Sequence, residues 1–193
     1  MFETIQEIIE DHKSAVQVFN SPAIISVIEN ISGAILSSLK SGGKILVCGN
    51  GGSAADAQHL AGEFVNRFNI NRPPLPCIAL STDTSVITAI GNDFSYDEIF
   101  SKQIEALGRK GDVLIAISTS GASANVIKAV DRAKATSIIT VGLLGRDGGA
   151  LKNRCDIPLV VPLKSTPRIQ ECHILILHIL SEIVENSMFG EGI

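Results

Sequence analysis

Two histidines and a glutamate are the side chains of this sequence best suited to acid–base or metal chemistry. His59 and Glu63 lie four residues apart in a helical stretch, so they share one face of a helix. His178 interrupts the apolar run 174–180 near the end of the chain. An imidazole in such a run is often only a hydrogen-bonded core residue, and a His–Glu pair can be a simple surface pair. Taken together, a carboxylate and an imidazole can move a proton between the carbons of an enediol, which is the chemistry of ketose–aldose interconversion.

Two loops rich in glycine or serine each follow a β-like run and precede a helical stretch. The first has glycines that let backbone N–H groups approach a ligand, at a helix N-terminus with partial positive charge. The second offers four hydroxyls, although a helix cap needs only one. Hydroxyls and free helix N–H groups predict a phosphate site without lysine or arginine. The first loop comprises Gly49, Asn50, Gly51, Gly52 and Ser53, and the second Ser118, Thr119, Ser120, Gly121, Ala122 and Ser123.

The first loop also fits the dinucleotide pattern G-x-G-x-x-A through Gly49, Gly51 and Ala54. A dinucleotide site needs an acidic residue about 20 positions further on, at the end of the next strand. Asp83 is the nearest candidate after that strand, and it comes too late. The sequence therefore does not favour a nicotinamide enzyme.

The elements that position these residues alternate between strands and helices. Continuous apolar strands separated by helices predict a parallel sheet covered on both faces. We expect one α/β domain over residues 1–193, with a doubly wound five-stranded parallel sheet and an N-terminal helical extension over residues 1–40. Ligands of such sheets bind at the carboxyl ends of the strands, near a switch in strand order. The predicted strands are 44–48, 77–80, 112–117, 138–143 and 157–161; the predicted helices are 2–19, 22–39, 54–67, a region including 97–107, 123–135 and 168–186.

Composition excludes several classes of protein. The net charge of −4, one Tyr and no Trp argue against a nucleic-acid partner. The four cysteines form no C-x-x-C pair, and Cys48 lies in an apolar run, so we expect buried thiols in a reducing cytosol. The acidic N-terminus does not resemble a signal peptide, and the run 174–180 is too short for a membrane span. A cytoplasmic protein with no membrane partner is expected.

Six blocks of sequence carry a specific resemblance to a known family. They run in order from about Gly42 to the C-terminus, and together they resemble the phosphoheptose isomerases, which are sugar isomerase (SIS) domain proteins with a flavodoxin- or Rossmann-like sandwich. The blocks are CGNGGSAADAQHLAGE, NRPPLP, AIGNDFSYDEIFSKQ, GRKGDVLIAISTSGASANVIKA, GRDGG and RIQECHILILHIL.

The resemblance implies conversion of D-sedoheptulose 7-phosphate to D-glycero-D-manno-heptose 7-phosphate through an enediol, which supplies heptose for surface polysaccharide. It also implies a homotetramer with active sites at subunit contacts and one zinc ion per subunit. Glu63 would be the base and His178 the acid. The implied zinc ligands are His59, Glu63, Gln170 and His178, and the implied substrate-binding residues are Asn50, Gly51, Gly52, Ser53, Asn92, Asp93, Ser118, Thr119, Ser120, Ser123 and Gln170.

Some features depart from a simple transfer of the family pattern. Gln170 and His178 are eight residues apart, about 12 Å along a continuous helix, whereas zinc ligands lie near 2 Å from the ion. Either Gln170 lies at an irregular helix start, or the ligands of one site come from different subunits. Relatives often carry Asn at the position of Ala122, and Pro167 leaves no acidic side chain ahead of Arg168, so we expect no third catalytic carboxylate there.

Two alternative functions stay open at the level of sequence. Some SIS-type tetramers are adaptors that bind a replication initiator protein, and they share the Gly-rich loop and the stretch 168–171. That branch lacks counterparts of Glu63 and His178, which this sequence has. The other alternative is an isomerase of a five- or six-carbon sugar phosphate, because pocket length is not visible in the sequence.

Overall fold

A five-stranded, all-parallel sheet forms the centre of the structure, a computed structural model that describes residues 1–190. Nearly every residue of the three central strands is buried, because helices cover both faces of the sheet. This burial explains why the strands are continuous apolar runs rather than alternating ones. The strands lie in the order β2-β1-β3-β4-β5 and are β1 (Ile45–Gly49), β2 (Cys77–Ala79), β3 (Val113–Ser118), β4 (Ile139–Gly145) and β5 (Ile157–Val161).

Helices pack on the two faces of the sheet in separate apolar clusters. Side chains of α2, α3 and α7 cover one face, with α1 packed outside against α7, and α4, α5 and α6 cover the other. Short 3-10 turns lie at Gln17–Asn20, Tyr96–Glu98 and Gly149–Asn153. The helices are α1 (Phe2–Val16), α2 (Pro22–Lys40), α3 (Gly52–Val65), α4 (Thr84–Asp93), α5 (Ser101–Leu107), α6 (Ala124–Ala135) and α7 (Thr166–Phe189).

The chain changes direction across the sheet between β1 and β3. From β1 it goes outward to β2, then returns to add β3, β4 and β5 on the other side. Gly49, the last residue of β1, pairs in register with Ile117 of β3. The loops that follow these two strands therefore leave the sheet side by side, at the topological switch point where α/β sheets bind ligands.

The five-stranded parallel sheet and its doubly wound order confirm the predicted fold class. One helix was missed: α4 occupies what the sequence suggested was a loop, and the predicted helix over 97–107 is a 3-10 turn followed by the short α5. Asp83 caps α4, since its carboxylate accepts a hydrogen bond from the N–H of Val86 at 3.0 Å. The end of the predicted domain, residues 191–193, lies outside the described residues.

Two helices, α2 and α7, are long and apolar enough to span a membrane by composition alone. In the structure both lie against the sheet, where Ile31 and Ile35 of α2 and Ile176 and Leu180 of α7 are fully buried. Their apolar character is accounted for by this packing, which identifies them as core helices. All four cysteines are buried as free thiols, and burial raises the pKa of each, so none is poised to react.

A buried histidine packed against the sheet makes the stability of the fold depend on pH. His173 of α7 is fully buried, and its Nε2 donates to the carbonyl oxygen of Leu144 in β4 at 3.3 Å, whereas its Nδ1 has no partner. Burial lowers the pKa of His173 to about 4, because the charged imidazolium would be desolvated there. The folded protein therefore holds this ring neutral under conditions in which the unfolded chain takes up a proton.

We expect His173 to make the fold sensitive to acid. Below pH 6.5 the unfolded chain is protonated at this ring and the folded chain is not, so the free energy of unfolding falls as the pH drops to about 4. The expected loss from this group is about 3 kcal/mol. Urea unfolding at pH 7, 5 and 4, at one protein concentration, should show a smaller loss for His173→Leu than for the wild type. His12→Gln, which alters an exposed histidine, serves as the control; equal acid sensitivity of all three proteins contradicts this assignment.

Candidate active site

His59, Glu63 and His178 meet on one side of the molecule, although 119 residues separate the two histidines in sequence. The Nε2 atoms of His59 and His178 are 2.9 Å apart, and Glu63 Oε1 lies 3.1 Å from His59 Nε2. The two imidazole rings are 5.0 Å apart between centroids and tilted by 53°. His59 and Glu63 come from α3 and His178 from α7, so the packing of these two helices creates the cluster.

The donor atoms of this cluster are suited to a divalent metal ion. One nitrogen from each ring and one carboxylate oxygen lie within 4.8 Å of one another. The Nε2 atoms of the two histidines face each other. The lone pairs of these two nitrogens can therefore bind a shared proton or a cation. Two imidazoles and a carboxylate are a common ligand set for zinc, which leaves a fourth position for another group. The three residues therefore fit a zinc ion.

The Gly-rich loop is held in place by its own asparagine. Asn50 and Asn125 exchange two hydrogen bonds of 2.8 Å between their side-chain amides, and the Tyr96 hydroxyl donates to Asn50 Oδ1 at 3.1 Å. These contacts tie the loop after β1 to the first turn of α6 and to the Tyr96–Glu98 turn. The side chain of Asn50, predicted as a substrate ligand, is thus engaged with protein. The N–H of Ser53 donates to the carbonyl oxygen of Asn50 at 3.0 Å, so the N–H groups of Gly51 and Gly52 are what the loop backbone offers to an anion.

The serine loop also uses part of its hydroxyl set to fix its own shape. Ser118 Oγ accepts from the N–H of Gly121 at 3.1 Å and contacts Ser123 Oγ at 3.2 Å, and Ser120 Oγ accepts from the N–H of Ala122 at 3.2 Å. Ser123 is the N-cap of α6 but makes no capping bond with its side chain. The first N–H groups of α6 have no partner within the helix, so they remain available to a bound anion together with Thr119 and Ser123.

Gln170 lies against the Gly-rich loop. A Cβ atom placed on Gly52 would be 2.3 Å from Gln170 Nε2, so the glutamine amide occupies the space that this glycine leaves. The helix α7 runs without interruption from Thr166, so the alternative of an irregular start at Gln170 is wrong. A regular helix separates Gln170 from His178 by about 12 Å, which leaves the proposal of ligands from different subunits.

Asn92 and Asp93 lie at the end of α4, where Asn92 Nδ2 donates to Asp93 Oδ1 at 2.8 Å. Both are exposed in the single chain. The 3-10 turn that begins at Tyr96 follows them directly and carries the hydroxyl bound to Asn50. The turn connects this pair to the Gly-rich loop, but no contact in a single chain brings either side chain to the His59–Glu63–His178 cluster within residues 1–190.

Asp56 lies beside the cluster and was not singled out by the sequence analysis. It lies one turn before His59 on α3, and its Oδ2 is buried with no hydrogen-bond partner. Burial raises the pKa of Asp56 to about 6, and the nearby His59 opposes this effect. The three-residue spacing to His59 was the available signal, but the apolar pattern of α3 does not reveal that this carboxylate points inward.

Comparisons with known proteins agree on one family for this chain. A family model described as SIS domain matches residues 14–145. The chain is 52% identical over 182 residues to a phosphoheptose isomerase of Trichlorobacter lovleyi, covering 94% of this chain and 92% of the relative. It is 51% identical to a phosphoheptose isomerase of Geotalea daltonii, covering 99% of each chain.

Solved structures of the same kind superpose closely on the fold. The phosphoheptose isomerase of Neisseria gonorrhoeae matches with a TM-score of 0.90 and 43% identity, covering 95% of this chain and 98% of that one. A phosphoheptose isomerase of Francisella tularensis matches with a TM-score of 0.91 and 40% identity, covering 96% and 98%. The chain belongs to the phosphoheptose isomerases of the SIS domain family.

Proposed function

We propose that this enzyme converts D-sedoheptulose 7-phosphate to D-glycero-D-manno-heptose 7-phosphate, with Glu63 and His178 as its proton-transfer groups. One observation carries the proposal: a carboxylate and an imidazole from distant parts of the chain converge at His59, where Glu63 Oε1 and His178 Nε2 lie 3.1 Å and 2.9 Å from the same ring nitrogen. The names of close relatives supply the seven-carbon substrate.

The reaction moves one proton between carbons and one between oxygens. Glu63 takes the proton from C1 of the ketose, and His178 donates a proton to the carbonyl oxygen at C2, which gives the enediol. Glu63 then returns its proton to C2, while His178 recovers a proton from the hydroxyl at C1, which becomes the aldehyde. Both groups end the cycle as they began it, so the enzyme needs no external oxidant or reductant.

The phosphate is proposed to bind where the loops after β1 and β3 lie side by side. The N-termini of α3 and α6 both direct free N–H groups toward this edge, and the remaining hydroxyls of the serine loop add neutral donors. Such donors suit an anion held at a fixed distance from the proton-transfer groups, because the phosphate does not take part in the chemistry. We propose the full predicted substrate-binding set, with Asn50 contributing through its backbone.

Zinc is the proposed metal, held by His59, Glu63 and His178, with Gln170 supplied by another subunit. A bound zinc ion supplies Lewis acidity at the sugar oxygens. The chain's own residues act separately from this: α3 and α7 hold the three side chains in position, and Glu63 would both hold the metal and, in the proposed reaction, take the proton from the sugar.

We propose a homotetramer with its active sites at subunit contacts. His59 is 44% exposed, so the cluster is open on one side in a single chain. The helix α1 carries a solvent-facing apolar stripe formed by Phe2, Ile5, Ile8 and Ile9, each about half exposed or more. Stripes of this kind mark protein interfaces.

We also propose that residues 1–40 belong to the same domain as the sheet. The enzyme is proposed to be cytoplasmic and to have no nucleic-acid partner.

The adaptor alternative is less well supported, because binding an initiator protein gives no role to a carboxylate and two imidazoles held within hydrogen-bond distance of one another. Incubation of the purified protein with sedoheptulose 7-phosphate, and with five- and six-carbon ketose phosphates, separates the candidates. We expect the seven-carbon substrate to be converted with the highest kcat/KM. No turnover of any of them, with or without added zinc, contradicts the proposed function.

Removal of either proton-transfer group should abolish isomerisation without unfolding the protein. We expect Glu63→Gln and His178→Gln to lower kcat on the order of 100-fold or more, since each removes one proton carrier. Circular dichroism and sedimentation should remain those of the wild type. Both variants should also fail to exchange the C1 proton of the substrate with deuterated water. Retention of near-normal activity in both is incompatible with the assignment.

The space above Gly52 provides a second test. In Gly52→Ala the new methyl group displaces the Gln170 amide, a flexible side-chain end, so the fold should survive while kcat/KM falls roughly 10-fold to 100-fold. Gly62→Ala is the matched control on the same helix, since nothing lies within 4 Å of a Cβ there. That control should keep its activity and gain up to about 1 kcal/mol of stability from helix propensity. Equal activity of both variants argues against a role for Gln170.

The α1 stripe should be part of the subunit interface. Ile5→Glu places a charge on the apolar stripe, and we expect sedimentation velocity to show tetramers dissociating at concentrations where the wild type stays assembled. Ser14→Glu adds the same charge on the opposite, exposed face of α1 and should leave the tetramer intact. Activity of Ile5→Glu should fall on dilution together with the tetramer; fully active monomers contradict a site shared between subunits.

A further inference from the structure

A buried ion pair lies behind the proposed site and joins its two helices. Arg72 Nε donates to Glu185 Oε1 at 2.9 Å, and the two side chains are 2% and 1% exposed. Neither residue is among the predicted catalytic, metal or substrate ligands. We call this pair the clamp. Removal of two charges from water is costly, so a buried pair of this kind is retained only where its geometry and its other hydrogen bonds are good.

The arginine of the clamp caps the helix that carries Glu63. Arg72 NH2 donates to the backbone carbonyl of Glu63 itself at 2.8 Å, and NH1 donates to the carbonyl of Phe64 at 2.7 Å. These carbonyls belong to the last turn of α3, where no further helical N–H can reach them and where partial negative charge accumulates. The guanidinium therefore fixes the end of α3 by both charge and geometry.

The glutamate of the clamp binds the loop that follows the same helix. Its carboxylate accepts from three consecutive backbone N–H groups, those of Phe68, Asn69 and Ile70, in addition to Arg72. Burial acts to raise the pKa of Glu185, but these donors outweigh it and hold the pKa below the usual range. The carboxylate is thus a fixed anion around which the loop is folded.

The clamp involves both of the helices that carry the proposed site, α3 and α7. Glu185 lies seven residues, or two turns, after His178 on α7, so both side chains face α3. The loop bound to Glu185 also places the ring of Phe68 5.7 Å from the ring of His178. A shift of α3 relative to α7 changes the separation of Glu63 and His178 directly.

We propose that Arg72 and Glu185 are positioning residues, which set the distance and orientation of Glu63 and His59 relative to His178 and so control metal affinity and proton transfer. The inference rests on the proposed function of the His59–Glu63–His178 cluster. The phosphate loops follow β1 and β3 and make no contact with the clamp within residues 1–190, so substrate binding through phosphate should be separable from it.

The test compares Glu185→Gln and Arg72→Lys with a matched control just before β3. Asp112 is also a buried carboxylate: it binds Lys44 Nζ at 2.6 Å and accepts from the N–H groups of Lys44 and Arg109. Asp112→Asn therefore removes a comparable pair without touching α3 or α7. Each protein is prepared as the full-length assembly, and each is measured per folded molecule.

Four quantities are measured: kcat and KM for sedoheptulose 7-phosphate, the zinc dissociation constant by competition with a chelating dye, and the visible spectrum of the cobalt-substituted protein. We expect the clamp variants to bind zinc about 10-fold to 100-fold more weakly, to lose kcat by a similar factor and to show an altered cobalt spectrum. Their KM should change by less than about threefold. Asp112→Asn should lose stability but keep all of these values.

The outcomes separate this inference from the proposed function. Clamp variants that lose only stability, with unchanged zinc affinity, cobalt spectrum and kcat, overturn the positioning role even if the wild type is a fully active isomerase. A wild type that fails to convert the substrate but whose clamp variants bind zinc and cobalt differently supports the clamp and refutes the function. If Glu185→Gln does not fold, Arg72→Lys decides the matter, because it keeps the charge and loses the bridging geometry.

Discussion

The packing of α3 against α7 is the interaction on which the proposed site depends. Each helix alone carries ordinary side chains: an exposed His–Glu pair on one, and a histidine in an apolar run on the other. Their apolar faces, with Leu60 and Phe64 on α3 and Leu177 and Leu180 on α7, enter the same cluster beneath the sheet. The helices are thereby held close enough for His59 and His178 to touch, and a rigid backbone support is what acid–base chemistry and metal binding require.

Phosphate binding and proton transfer are proposed to take place in different parts of the molecule, the first at the carboxyl edge of the sheet and the second between α3 and α7. Parallel pairing of β1 with β3 brings the Gly-rich loop and the serine loop together, and the amide pair of Asn50 and Asn125 joins them. Several polar side chains of the two loops are hydrogen-bonded to other protein groups. The backbone N–H groups at the helix N-termini are therefore the main donors that we propose for an anion. The proposed phosphate site is therefore built on elements that are fixed in the sheet, whereas the proposed proton-transfer groups lie on α3 and α7.

Buried charges occur in this chain where they are fully paired. Glu185 and Asp112 each have a cation and backbone N–H groups around them. Asp56 differs, since one of its oxygens is buried without a partner and its pKa is raised. An unsatisfied polar atom of this kind is costly in a folded protein, and it lies one turn from a proposed metal ligand. The paired carboxylates of Glu185 and Asp112 belong to the structural support of the fold, whereas the unpaired Asp56 lies next to the proposed active site.

Local sequence patterns were sufficient for the fold class and for the kind of chemistry. Apolar runs followed by Gly- or Ser-rich loops predicted the five parallel strands, and residue types predicted the acid–base group. The helix Thr84–Asp93 was missed because it is rich in β-branched residues, which have low intrinsic helix propensity, and because none of its residues is fully buried. Tertiary contacts alone decided that the Asn50 side chain bonds to Asn125, that one carboxylate oxygen of Asp56 is buried, and that Arg72 meets Glu185 across 113 residues. Periodicity reports which face of an element is buried, but the partner that meets each polar side chain is set by how the elements pack.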